Sequence, residues 1–487
     1  MSLHRAARVR YPELPAQARL DCARARAIVS ALSAMPRHST TRRRFLQTAT
    51  LGAAAIGLLG KAARSQEPAP KLLPDPPVPI PKNRPITTMW SGAVTTDGAT
   101  VKAKLPPAAR ARLVVTPADG GAARTFDFPA CPAETSIGTC RLHGLEADTA
   151  YSYRLELDGK RTSYPAGHLR TFPDGAASFR FAFASCARTG SSHAVFDTIR
   201  KAQPLFFHHL GDFHYSNIAK NNPELFRAAF ETVLAAPTQA ALYRAVPLVY
   251  VWDDHDFGPN GSDASAPGRE ASRLTYREYI PHYPLPAGPG DAAIYQTFNV
   301  GRVRFISLDL RSERSPSKSP DGPQKTLLGA AQKAWLKQEL LAARDSAKLV
   351  FLISSVPWCG RAGKDDGWSA FGTERREIAD FIKAHGIKNL CILSGDAHML
   401  AADDGTNADF ATGGGGAPIA VLHGSALDRS GSYKGGPYSH GWYLPKTNEG
   451  CFGLVEVRDE GTQIAVEFSG RNHLDVEKVR LNFTVPA

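Results

Sequence analysis

The segment VYVWDDHDFGPNGSD (residues 249–263) sets Asp253, Asp254, His255 and Asp256 side by side at the end of an apolar run. Neighbouring carboxylates in that place either tip into a solvated turn or face a positive centre. The pattern recurs along the chain. FRFAFA runs into Ser185, Cys186, Ala187 and Arg188, and LFFHHL runs into Gly211, Asp212, Phe213, His214 and Tyr215. FISL leads into Asp309, Leu310 and Arg311, and LCILS into Gly395, Asp396, Ala397 and His398. Sites in α/β sheets assemble outside the carboxyl ends of the strands, and five such clusters are hard to explain as five independent turns. Brought together they pool Asp212, Asp253, Asp254, Asp256, Asp396, Cys186 and Tyr215 with His255, His398 and Arg188. So many acids cannot all ionise in a low-dielectric pocket without cations, and Arg188 and Arg311 are too few to balance them. Carboxylates with an amide such as Asn260 suit calcium, magnesium or manganese. The Tyr215 phenol and the Cys186 thiol together favour a metal acidic enough to deprotonate both, such as ferric iron. Zinc lacks its usual signatures, since neither HExxH nor paired CxxC spacing is present.

Periodicity indicates the elements that must carry these residues. Residues 86–173 alternate in short β-like runs separated by turn residues, the pattern of a small all-β sandwich. The stretch LHGLEADTAYSYRLELDG there resembles the end of a fibronectin type III domain, with Leu145 and Tyr151 in its core and corner places. From residue 174 to 487 apolar strands alternate with amphipathic helices, indicating an α/β domain with mixed sheets. Helices are expected over 193–201, 223–235, 269–279, 330–344 and 373–385, and a C-terminal hairpin closing at Glu460-Gly461. His208 and His209 lie inside a strand run and are expected in the core. Asp309 and Arg311 form either a bracing ion pair or a phosphate contact. The glycine-rich stretch 412–418 lacks the Lys-Ser/Thr of a nucleotide loop and is expected to be a mobile loop.

Charge is unevenly spread. Residues 1–65 hold 12 of the 58 Lys and Arg but 2 of the 46 acids, leaving 46 against 44 in the remainder. The basic excess therefore belongs to the leader, and the rest has no footprint for nucleic acid. Within that leader Thr41, Arg42, Arg43, Phe45 and Leu46 precede a mildly apolar run, the pattern of a twin-arginine export signal. That run is too short to anchor the chain in a membrane. A proline-rich linker occupies 66–85. The expected location is periplasmic or secreted, reached through the twin-arginine export machinery. Such a compartment permits disulfides, and Cys131 with Cys140 is the expected pair.

Taken in order, Ser185-Cys186, Gly211-Asp212-x-x-Tyr215, Trp252-Asp253-Asp254-His255-Asp256, Asp309-x-Arg311 and Gly395-Asp396-x-His398 resemble the PhoD-like alkaline phosphatases of the calcineurin-like metallophosphoesterase superfamily. The likeness runs from about residue 179 to the C-terminus, and the leader and sandwich also resemble that family's layout. It implies a four-layer αββα domain of mixed sheets behind the sandwich. It further implies that Cys186, Asp212 and Tyr215 approach one metal, with Asp212 bridging to a second. Asp254, in the place of the superfamily's Gly-Asn-His asparagine, would be a further ligand, Asp253 and Asn260 would serve calcium, and His398 with Asp396 would close the site. The superfamily's first Asp-x-His appears here as Ser-Cys, and its final Gly-His-x-His as Gly-Asp-x-His. These departures favour one ferric iron with one or two calcium ions over a plain di-zinc or di-iron pair; zinc, magnesium and manganese remain open. The implied activity is hydrolysis of phosphomonoesters, phosphodiesters or both by a metal-activated water, without a covalent serine intermediate, for phosphate scavenging. His255 would give the proton or touch the phosphate, held by Asp256, while Arg188 clamps the phosphate. The alternative is a calcium-stabilised extracytoplasmic binding protein with an inactive phosphatase-like domain.

Overall fold

The computed structural model describes residues 88–106, 109–129, 131–361 and 366–487. The leader, its twin-arginine motif and the linker expected over 66–85 lie outside the described residues. Eight short strands come first: β1 (Met89–Gly92), β2 (Ala99–Lys104), β3 (Ala111–Pro117), β4 (Arg124–Asp127), β5 (Ile137–Leu142), β6 (Ala150–Leu157), β7 (Lys160–Arg161) and β8 (Gly167–Arg170). Side chains alternate across a strand, and in β6 Tyr151, Tyr153 and Leu155 are the buried set. β4, β3, β6 and β7 form one antiparallel sheet, with β8 also on β6. The Tyr151 hydroxyl accepts a hydrogen bond from the Glu146 amide at 2.9 Å, closing the turn ahead of β6.

β9 (Phe179–Ala184), β10 (Phe207–His209) and β11 (Leu248–Tyr250) follow, interleaved with helices α1 (Ala194–Lys201), α2 (Pro223–Ala235) and α3 (Pro237–Ala245). Next come α4 (Asp254–Phe257), α5 (Arg269–Tyr279), β12 (Gln296–Val300), β13 (Val303–Ser307), α6 (Gly329–Ser346), β14 (Leu349–Ser354) and α7 (Gly372–Ala384). The chain ends with β15 (Leu390–Ser394), β16 (Leu400–Asp403), β17 (Ala420–Gly424), β18 (Trp442–Tyr443), β19 (Cys451–Asp459), β20 (Gln463–Asn472) and β21 (Glu477–Pro486). One nine-stranded sheet runs β21-β20-β19-β9-β10-β11-β1-β2-β5, and a seven-stranded sheet runs β12-β13-β14-β15-β17-β16-β18. β9, β10 and β11 are parallel neighbours, as are β13, β14, β15 and β17. Strands covered on both faces carry continuous apolar runs, and every residue of β14 (LVFLIS) and β15 (LCILS) is buried.

The two large sheets face each other through aromatic rings. Phe181 of β9 meets Phe305 of β13 at 5.3 Å and Phe351 of β14 at 5.2 Å between ring centroids. Val350, Leu352 and Ile306 point the other way, against Leu336 and Leu340 of α6 and Ile378 and Ile382 of α7. On the first sheet, Val195 and Ile199 of α1 and Leu242 and Tyr243 of α3 join the core. The order helix, sheet, sheet, helix is the four-layer αββα arrangement implied by the motif resemblance. The expected helices and the C-terminal hairpin form, whereas α3 and α4 had no clear periodic signal.

The sheet of β1, β2 and β5 does not stop at the boundary drawn after residue 173. Gly92 of β1 pairs in parallel with Leu248 of β11, and Tyr153 Oη donates to the Arg244 carbonyl at 3.1 Å. Lys102 Nζ caps the end of α5, donating to the Glu278 and Arg277 carbonyls at 2.8 and 3.2 Å. The expected pair Cys131 and Cys140 is two free thiols, with Cys140 turned into the core from β5 and Cys131 in a half-buried loop. No helix among the described residues is long and apolar enough to cross a membrane.

Candidate metal centre

Asp212 is the hub. It follows β10 with φ 54°, and Cys186 and Asp396 at the tips of β9 and β15 also have positive φ, 65° and 64°. Non-glycine residues held there are strained and persist where surrounding structure over-determines them. Gly211 (φ +98°) permits the close approach, since a Cβ on it would stand 2.5 Å from Asp253 Cβ. The turn is then fixed from beneath: the Asp256 carboxylate accepts from the Asp212 and Phe213 amides at 2.9 and 3.1 Å. This throws the Asp212 side chain towards the other strand tips.

Asp212 Oδ2 accepts from Tyr215 Oη at 2.7 Å and from Cys186 Sγ at 3.4 Å. Tyr215 Oη also lies 3.1 Å from His398 Nε2. His398 Nδ1 stands 2.8 Å from the Ser430 carbonyl, which can only accept, so Nδ1 carries the proton and Nε2 presents its lone pair. On the other side, the His255 amide donates to Asp212 Oδ1 at 3.4 Å. Asp254 Oδ2 accepts from the Gly261 amide at 2.6 Å. Asp253 Oδ1 accepts from Arg311 Nε at 2.7 Å and Ser355 Oγ at 2.8 Å. Three groups of potential ligand atoms fall within 4.8 Å of one another: Cys186, Asp212 and His398; Asp212, Asp254 and His255; Asp212, Asp253 and Asp396. Asp212 belongs to all three.

The electrostatics match a site shaped for cations. Burial, then the neighbouring Asp254, Asp256 and Asp396, hold the Asp212 carboxyl well above the usual range. Burial pushes Asp253 up to about 8, against the opposing Arg311 guanidinium. The Cys186 thiol and Tyr215 phenol are raised by burial and then by Asp212. Burial lowers His398 to about 3, keeping the ring neutral. Asp254 moves the other way: burial opposes its charge, yet the His255 ring, Arg311 and the Gly261 amide hold it below the usual range. Two buried carboxylate oxygens, Asp253 Oδ2 and Asp254 Oδ1, have no hydrogen-bond partner among the described residues. An orphaned buried carboxylate oxygen is costly unless a cation meets it. Carboxylate, thiol, phenol and imidazole donors around one shared aspartate fit metal ions well.

Several expected roles are corrected. Asp256 does not hold His255: adjacent helical residues point apart, and Asp256 spends its oxygens on Tyr250 and on the Asp212, Phe213 and Asp253 amides. The residue on His255 Nδ1 is Asn217, whose Oδ1 lies 2.6 Å away, and the Tyr215 ring lies against the imidazole, tilted by 33° at 4.1 Å between centroids. Asp309 and the Arg311 guanidinium do not pair. Asp309 accepts from Trp252 Nε1, Ser312 and the Ile294 and Arg311 amides, while Arg311 turns to Asp253. The loop expected to be mobile is fastened, with the Thr412 amide on Asp380 and the Gly415 and Gly416 amides on Asp409.

Arg188 and Asn260 are exposed. The Arg188 amide binds Asp428 Oδ1 at 2.7 Å, at the rim beyond Cys186. Asn260 stands one residue before the Gly261 amide that reaches Asp254. Asp396 is brought in, but both its oxygens meet Lys434 Nζ, at 2.9 and 3.0 Å. Sequence reasoning missed Lys434, Asn217, Ser355 and Arg429, whose guanidinium lies 4.0 Å above the Tyr215 ring. None sits in a motif. The nearest signal is the glycine-rich context of Lys434 in SYKGGPYSHG.

Comparison with known proteins speaks to the family and the fold. The family model described as PhoD-like phosphatase matches residues 181–438. Alkaline phosphatase D of Bacillus subtilis (strain 168) is 26% identical over 315 residues, covering 54% of this chain and 53% of that protein. Tartrate-resistant acid phosphatase type 5 of Sus scrofa is 25% identical over 171 residues, 34% of this chain and 47% of that protein. The chain thus spans about half the length of the curated relatives it matches. A solved structure titled "Structure of PhoD" superposes with a TM-score of 0.64 at 19% identity, covering 82% of this chain and 89% of that one, a likeness of fold.

Proposed function

The chain belongs to the PhoD-like phosphatase family, and we propose from that premise that it is a metal-dependent phosphatase hydrolysing phosphomonoesters, phosphodiesters or both. The observation that carries this is the convergence of the tips of β9, β10, β11 and β15 on Asp212, beside two buried carboxylate oxygens without hydrogen-bond partners among the described residues. Cys186, Asp212, Tyr215 and His398 would hold one ion, and Asp212, Asp254 and Asp253 Oδ2 a second. The thiol and phenol favour ferric iron for the first and the carboxylates favour calcium for the second, with zinc, magnesium and manganese as the alternatives. Such ions, when bound, polarise a phosphoryl oxygen and lower the pKa of water.

The chain's own residues supply the rest. Water oxygen adds to phosphorus as its proton passes to solvent, the ester P–O bond breaks, and the departing alkoxide needs a proton. His255, when protonated on both nitrogens, delivers it from Nε2, because its Nδ1–H is held by Asn217 Oδ1 and Tyr215 lies against the ring. Arg188, exposed at the rim, meets the non-bridging phosphate oxygens. Asp256 acts at one remove, by positioning the Asp212 turn. The leading module is read as fibronectin type III-like, supported by the Tyr151 to Glu146 closure. Export through the twin-arginine pathway to the periplasm or medium, for phosphate scavenging, is supported by Arg42 and Arg43.

Rates on matched mono- and diester substrates before and after exhaustive chelation test the reading. Activity should vanish and return on adding iron and calcium. Hydrolysis indifferent to chelation would refute it. A chelator that alters only the melting temperature of an inert protein would support the calcium-stabilised binding protein instead.

A further inference from the structure

The three groups of potential ligands around Asp212 are not equivalent. In the group of Asp212, Asp253 and Asp396, both residues other than the shared hub already face a side-chain cation. Asp253 Oδ1 is taken by Arg311 Nε at 2.7 Å, and the two oxygens of Asp396 share Lys434 Nζ at 2.9 and 3.0 Å. The same ammonium lies 3.5 Å from Asp366 Oδ1, so two carboxylates converge on it. In the other two groups, no Lys or Arg among the described residues hydrogen-bonds to the side chains of Cys186, His398, Asp254 or His255, and Arg311 lies 4.0 Å from Asp254.

Lys434 is held in place by its loop. Ser432 binds the main chain of His398 in both directions, its amide donating to the carbonyl at 3.0 Å and its hydroxyl accepting from the amide at 3.3 Å. Gly435 follows with φ +74°, and a Cβ there would collide with the Cys359 carbonyl, so the backbone sits directly on that oxygen. Tyr438 Oη donates to the Lys434 carbonyl at 3.3 Å. A metal ion entering this third group would have to evict an ammonium whose loop is pinned on both sides, or sit against its charge.

We propose that Lys434 is a resident cation that closes the third carboxylate group, so that the centre takes two metal ions and not three. Asp396 is then the anchor of Lys434, while the unpartnered Asp253 Oδ2 serves the ion shared by Asp212 and Asp254. This rests on the metal-dependent reading above and narrows it.

The test is metal content. The full chain, isolated with iron and equilibrated with excess calcium, is gel-filtered and its total metal per chain measured by elemental mass spectrometry. Two equivalents are expected for the wild type and for Lys434→Arg, which keeps a cation, and three for Lys434→Met, which does not. Three equivalents in the wild type overturn the proposal, whatever the variants do, and leave phosphatase activity standing. A count of two in Lys434→Met with an unchanged melting curve also overturns it. A chain that binds no metal and hydrolyses no ester sinks this inference together with the reading beneath it.

Discussion

Asp256 and Asp309 lie as deep in the molecule as Asp253 and Asp254, all at 4% exposure or less, yet the two pairs are treated in opposite ways. Asp309 receives an indole, a hydroxyl and three amides; Asp256 receives three amides and the Tyr250 hydroxyl. Each of their oxygens is saturated. Asp253 and Asp254 each keep one oxygen bare. The pKa directions do not divide along the same line: burial raises both Asp256, to about 6, and Asp253, to about 8, while Asp254 is held below the usual range by the His255 ring and Arg311. Burial therefore does not mark a ligand. Unspent lone pairs do.

The strongest way to break this contrast is to neutralise the hub. Asp212→Asn should cost at least about 10³-fold in kcat/KM on a phosphate ester. It should leave the melting temperature of the metal-free protein unchanged or higher, because like charges around it are relieved. Steady-state rates with thermal unfolding check both halves. The converse variant is Asp309→Ala, which strands several buried donors. It should destabilise the fold by about 3 kcal/mol while metal per folded chain, measured after urea titration, stays at the wild-type level.

A graded effect should appear with pH. Asp253 sits at about 8 in the fold against an ordinary 3.8, so the metal-free native state retains a proton that the unfolded chain gives up. Its contribution to stability is complete below 3.8 and is lost as pH rises through about 8. Urea midpoints of chelated protein should fall across that window, and loading with metal should flatten the slope. A chelated protein that gains stability there would dissolve the distinction between the two pairs. Smallest of all, Tyr250→Phe removes one of the four donors on Asp256 and should cost about 1 kcal/mol, visible by urea unfolding, with activity lowered only through looser seating of the Asp212 turn.

The parts of the centre that could be read in advance are those where an apolar strand ends in its own ligands. Cys186, Asp212, Asp253, Asp254 and His398 each follow a buried run by a few residues, so strand register and the rule that sites form at carboxyl ends locate them together. Asp256 was misassigned because adjacency in sequence suggested contact with His255, whereas one helical step turns the two side chains apart. Asn217, Arg429 and Lys434 were invisible for a different reason. They come from loops whose course depends on turns such as Gly435 and on bonds to distant main chain, none of which leaves a periodic trace. The layered architecture was legible from alternating and continuous apolar runs, but the continuation of β5, β2 and β1 into the larger sheet was not. A pairing between residue 92 and residue 248 has no local signature.

That continuation has a practical consequence. β1 flanks β11 at the pairing of Gly92 with Leu248, so a chain trimmed to begin after residue 173 would uncover Leu248 along an apolar border. Such borders recruit other copies of themselves. The module in front is thus a guard against self-association, and shortened versions of this protein should precipitate before their chemistry can be assayed.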